Sequence, residues 1–180
     1  MRSHFLLALS LAAVPVLTSP ALAVEHATLT HAVLSPTPEP TDSLRLRSLL
    51  TRADEASFSG HFDEARRLYR KLIDEQGSSD EFASVALWRL ATAHLWVDAR
   101  RDAAEVLDEL ARAAARYGDP ETEMRATFEA AVLWSHLKRH DLVAERVARV
   151  RSLFKSPAIT DALKDDYRSR IVEAAPSTNG

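Results

Sequence analysis

The sequence predicts an all-α fold: antiparallel helical hairpins stacked as a short α-solenoid, about three hairpins plus a capping helix. Three observations carry this. Two hairpin signatures stand in register, Gly60-x4-Ala65-x3-Tyr69 and Asp98-x4-Ala103-x3-Leu107, each preceded by an apolar helical stretch. Their spacing of about forty residues is that of stacked helical repeats. From Asp42 to about Glu173 the pattern is helical throughout, with no strand alternation.

Residues 1–23 read as a signal peptide. Arg2 supplies the positive end and Phe5 to Val14 the apolar stretch; Pro15 and Pro20 break any helix. Ala21-Leu22-Ala23 is the small-x-small pattern of a cleavage site, so cleavage is expected after Ala23 and the protein in the periplasm or beyond. Residues 24–41 read as a disordered linker, rich in Thr and alternating Pro36, Pro38 and Pro40. The helical domain is expected over 42–175, with a disordered tail at 176–180.

Within the domain the expected helices are 43–58, 62–76, 80–97, 100–117, 120–138, 141–155 and 158–173. The first two are split by Gly60. Gly77 ends the second, and Ser79-Asp80-Glu81 caps the third. The third helix is apolar around most of its circumference, from Phe82 to Val97, which places it mid-fold and covered on several sides. Gly118 ends the fourth; Asp119-Pro120-Glu121, an N-cap followed by proline, opens the fifth. Ser156-Pro157 is expected to open the last in the same way. Connections of two to five residues make neighbours antiparallel.

Composition narrows the chemistry. The chain has no cysteine, which removes a lipobox, disulfides, zinc thiolate sites and thiol nucleophiles. Without Arg2 there remain 22 Lys+Arg against 26 Asp+Glu, a formal balance of −4 that gives no reason to expect nucleic acid. Frequent arginine and alanine suit a bacterium with a GC-rich genome.

The hairpins resemble the tetratricopeptide repeat family. In the first unit Ala53 and Ala65 fall at the family's small positions, Gly60 at its turn and Tyr69 at the aromatic that follows. The second fits through Leu87, Leu90, Ala91 and Ala103, with His94 and Leu107 where aromatics are usual; the third fits through Phe128, Ala131 and Ala144. Its turn, around Arg139–Asp141, lacks glycine, and the turn-to-turn spacings are 38 and then 41 residues. The family's unit is about 34 residues. The resemblance implies that the first helix of each pair lines a concave groove, and that Ile159 to Val172 cap the array.

Candidate sites follow. Trp88, Thr92 and Trp96 share a stripe of the third helix; together with Leu95, and with Glu129, Leu133 and His136 of the fifth, they are first-helix positions that the resemblance places towards the groove. They are expected to dock a partner segment by shape and apolar contact. The plainer reading is that Trp88, Trp96 and Trp134 are core residues. His136 and His140 have the i,i+4 spacing of a metal pair, but the expected turn at 139–141 falls between them, so no metal and no cofactor is assigned. Ser152-Leu153-Phe154-Lys155 matches S-x-x-K without its companion motifs and reads as a helix end. Arg66, Arg67, Arg70 and Lys71 could hold an anion, or form a solvated face paired with Asp63, Asp74 and Glu75.

No phosphate loop, H-E-x-x-H or G-x-S-x-G occurs. The expectation is therefore a non-enzymatic, exported scaffold for protein–protein interaction, with another protein or peptide as partner, no membrane insertion after signal cleavage, and an exposed face that permits self-association. The alternative is a closed helical bundle around a small apolar ligand.

Overall fold

A computed structural model describes residues 40–76 and 81–174. Among these, seven helices occur and no strand: α1 Pro40–Phe58, α2 Phe62–Gln76, α3 Glu81–Trp96, α4 Arg100–Tyr117, α5 Pro120–His136, α6 His140–Leu153 and α7 Asp161–Ala174. The expected signal peptide, most of the linker, the Gly77 and Ser79-Asp80 signals and the 176–180 tail lie outside the described residues. Helix α1 begins at Pro40, within the stretch expected to be linker, where proline suits a first-turn position.

The helices pack in chain order. Each of α1 to α5 lies against the next, and α1 also reaches α3. This is a stack of antiparallel hairpins, a short tetratricopeptide-like solenoid, rather than a bundle closed on itself. Helix α3 is sandwiched as expected, burying Ala83, Ala86, Leu87, Leu90, Ala91 and Ala93 against α1, α2 and α4.

Three hairpin turns share one backbone design. Gly60, Asp98 and Lys138 adopt left-handed φ values of 77°, 57° and 56°. The next residue in each case, His61, Ala99 or Arg139, donates its N–H to a carbonyl five residues back, on Ala56, His94 or Trp134, at 2.8–2.9 Å. This is the Schellman closure of a helix C-terminus. Gly118 and Asp119 repeat it between α4 and α5, where the Asp119 carboxylate accepts the Thr122 N–H at 3.0 Å.

The common turn fixes the repeat register and corrects it. The third turn residue is Lys138, so the spacings are 38 and 40 residues, not 38 and 41. The counterpart of Ala65 and Ala103, both fully buried, is the half-buried Val143; Ala144 is exposed and is not the small packing residue. Helix α6 instead buries Val150 and Leu153.

The core has two parts. The larger runs through α1 to α5 and includes Tyr69, Leu72, Leu87, Leu90, Leu110 and Trp134. The smaller joins Met124 and Phe128 of α5, Val150 and Leu153 of α6, and Tyr167 and Ile171 of α7. The opening of α7 also differs from expectation. Ser156 accepts a bond from the Ala158 N–H (3.3 Å) within the connecting turn, buried Ile159 pins that turn, and Thr160 receives the N–H groups of Leu163 and Lys164. Proline at 157 fits the turn as well as a helix start, which is why the sequence signal misplaces the boundary.

Candidate functional site

The two-residue offset before each turn creates an exposed row. Phe58, Trp96 and His136 each stand two positions ahead of the left-handed residue, at the C-terminal ends of α1, α3 and α5. Phe58 is 92% exposed and Trp96 68% exposed, and His136 is exposed too. Phe62, at the start of α2, stacks on the Trp96 ring with centroids 6.2 Å apart and planes 11° from parallel. Leu95 and Val97 flank Trp96 and are also exposed. A helix end followed by a tight turn leaves these side chains largely uncovered by the neighbouring helices.

The three tryptophans divide. Trp134 is core: its indole N–H donates to the buried Asp108 carboxylate at 3.0 Å, and the Arg146 guanidinium stands 6.0 Å from its ring. Trp88 is half-buried against the larger core, and the Thr92 hydroxyl donates to its carbonyl at 3.0 Å. Trp96 is the exposed one.

Glu129 and Leu133 do not share the register of Trp88 and Thr92. With Lys138 as the turn residue, the counterparts of Trp88, Thr92 and Trp96 are Phe128, Val132 and His136. Phe128 is covered: Tyr167 meets it edge-on at 5.0 Å and Arg170 lies 4.4 Å from its ring. Arg170 also pairs with Glu129 at 2.7 Å. Leu133 packs against the larger core. Helix α7 therefore occupies the part of α5 that was expected to continue the docking stripe, and the accessible stripe ends near Trp96.

Phe58 and Phe62 were not among the sequence candidates. The available signal was positional: Phe58 precedes Gly60 by the same two residues by which Trp96 precedes Asp98.

A second feature lies between α2 and α3. Asp63, Arg66, Arg67, Arg70, Lys71, Asp74, Glu75, Leu90 and His94 line an open cleft of about 790 Å3. The pairing there is not the simple i,i+4 ladder. Asp63 holds Arg66, Arg67 reaches the Asp63 carbonyl at 3.4 Å, and Arg70 crosses to Glu109 of α4 at 2.9 Å. Only Lys71–Glu75, at 3.8 Å, follows the expected spacing. Burial lowers the His94 pKa; Asp102 opposes that shift, and Arg66 and Arg70 reinforce it.

His136 and His140 sit on different helices, with the turn between them. The Ser152 hydroxyl donates to the Arg149 carbonyl at 2.7 Å, and Lys155 lies in the turn that follows α6.

No family model matches the chain, and no curated protein does. Among solved structures the chain is similar to the crystal structure of MamA protein, at 16% identity and a TM-score of 0.34, over 72% of this chain and 89% of that one. At that score the likeness carries no argument, and the fold class rests on the helix packing and the repeated turns.

Proposed function

We propose that this chain is an exported, non-enzymatic scaffold that docks a segment of another protein on its tetratricopeptide-like array. The observation that supports it most directly is the row Phe58–Trp96, largely exposed and extended by Phe62 stacked on Trp96. Exposed aromatic surface of this kind is costly to leave in water and is characteristic of interaction sites. Trp88 and Thr92 continue the surface along α3.

Export rests on Arg2, the apolar stretch 5–14 and Ala21-Leu22-Ala23. No helix among the described residues is long and apolar enough to cross a membrane. The periplasm or the exterior is the proposed compartment. N-terminal sequencing of the protein recovered from its source cells tests this directly: a chain beginning at Val24 supports export, and one retaining Met1 overturns it.

Docking is tested by placing a photo-cross-linking residue at Val97, beside the row. The expected result is one dominant adduct with a partner protein, lost in a folded Phe58→Ala/Trp96→Ala variant. An adduct pattern unchanged by that double substitution refutes docking on the row. Trp88 is left intact because its truncation would disturb the core.

A further inference from the structure

We infer that the cleft between α2 and α3 is a binding site for an oxyanion group, held between Arg66 and His94. The inference goes beyond partner docking and stands on a separate surface.

The repeat register shows why this place is unlike its counterpart. His94 and Trp134 occupy the same position, each giving its carbonyl to the residue after the left-handed turn. Arg70 and Asp108 likewise share a position, nine residues after His61 and Ala99. In the third hairpin the pair is complementary, since the Trp134 indole N–H donates to Asp108. In the second, an imidazole faces the guanidinium groups of Arg66 and Arg70, and its ring is smaller than the indole that fills the equivalent space.

Two buried polar atoms record the mismatch. Arg66 Nη1 and His94 Nδ1 are both out of solvent without a hydrogen-bond partner. Three of the surrounding carboxylates serve other groups. Asp63 takes the other terminal nitrogen of Arg66; Glu109 takes Arg70; Glu75 pairs with Lys71 and with Arg45 at 2.8 Å. Asp102, on α4, stands 3.7 Å from His94 Nδ1, beyond a hydrogen bond. Asp74 lines the cleft as well. Neither atom has an acceptor within the protein, and a phosphate, sulfate or carboxylate group entering the cleft that both residues line supplies one.

Binding would take up a proton. His94 is held towards the neutral state by its burial and by Arg66 and Arg70, with Asp102 opposing. An anion in the cleft reverses the balance and favours the imidazolium. Sulfate stays dianionic across the relevant range, so its affinity should rise as pH falls through the ordinary histidine value of about 6.5 and level off only below the lowered pKa of the free imidazole.

The test uses the whole chain, titrated with sodium sulfate at ionic strength held constant with chloride. The His94 imidazole signals are followed by NMR and assigned with His94→Gln. A saturable shift of those signals, a raised His94 pKa at saturation, and at least tenfold weaker binding in Arg66→Gln are expected. Inorganic phosphate, glycerol 3-phosphate and acetate, run in parallel, separate free ion, phosphate ester and carboxylate as the source by which saturates first. A response equalled by chloride, or saturation unchanged in folded Arg66→Gln, overturns the site. Should Arg66→Gln fail to fold, Arg66→Lys replaces it, keeping the charge without the forked second nitrogen; unaltered sulfate affinity there overturns it equally.

Discussion

Removing the Asp108 carboxylate should be among the most damaging single changes in this chain. Asp108 is 9% exposed, and it accepts from Arg146 Nε at 2.8 Å, from Arg146 Nη2 at 2.6 Å and from Trp134 Nε1 at 3.0 Å. It thus ties α4 to both helices of the third hairpin. The Arg146 side chain is only 14% exposed. Truncation to alanine leaves that guanidinium without its main counter-charge, which costs about 3–5 kcal/mol for a buried pair. Arg146 Nη1 keeps the Leu142 carbonyl at 3.2 Å, which favours the lower end. Against a typical domain stability of about 5–15 kcal/mol, this leaves a marginal protein. Asp108→Asn, which retains an acceptor for the indole, should lose about 1.5–3 kcal/mol. Urea unfolding followed by far-UV circular dichroism gives these differences. The decisive arm is Asp108→Ala/Arg146→Met: with the stranded cation gone, it should be more stable than Asp108→Ala alone. A loss below about 1 kcal/mol in Asp108→Ala, or a double variant at the sum of the singles, refutes the tie.

Three further outcomes are expected. Lys138→Gly should raise stability by about 0.5–1 kcal/mol, because a non-glycine residue at φ 56° carries a left-handed penalty that exceeds glycine's added chain entropy; an unchanged thermal midpoint counts against it. Trp134→Ala should cost about 3–5 kcal/mol and Trp96→Ala about 1 or less, with loss of the red-shifted emission confined to the second; equal costs would contradict the division between core and row. Burial depresses the His94 pKa, so its contribution is intact above the unfolded value of about 6.5 and is lost as pH falls through the lower folded value. His94→Gln should flatten that part of the stability–pH curve, and identical acid limbs would exclude the effect.

What could be read from the sequence tracks how local the cause is. Helix α2 begins, and helix α4 begins and ends, where the residues say, since the turns there are set by Gly60, Asp98 and Gly118, residue types that tolerate a left-handed backbone. The third turn is built on Lys138, which carries no such signal. The resulting one-residue slip moved the small position to Ala144. Arg70 shows a second kind of limit. Asp74 lies at the right spacing on the same helix, yet Glu109 on α4 is the partner, because the side chain points across the stack. Trp88 and Trp134 differ in role because they fall at different register positions, and at its own position Trp134 is covered by Asp108, Arg146 and the packing of α4 on α5.

The second helices of the hairpins are linked by ion pairs that alternate in sign, and this has an energetic consequence. Arg70 on α2 meets Glu109 on α4, and the counterpart of Arg70 on α4, Asp108, meets Arg146 on α6. Stacking the hairpins out of order would set Arg70 beside Arg146 and destroy both pairs, so the alternation favours the native order even where the apolar contacts are interchangeable. The two links differ in strength. Arg70 and Glu109 remain 40% and 31% exposed, so their pair is worth about 0.2–1 kcal/mol after solvent screening. Arg70→Glu alone should therefore destabilise by about 1 kcal/mol, through lost attraction and repulsion from Glu109. Arg70→Glu/Glu109→Arg should recover to within about 0.5 kcal/mol of the native chain at low salt. A double variant no better than the single would mean that the pair sits at that position without ordering the stack, leaving the buried Asp108–Arg146 link to specify it alone.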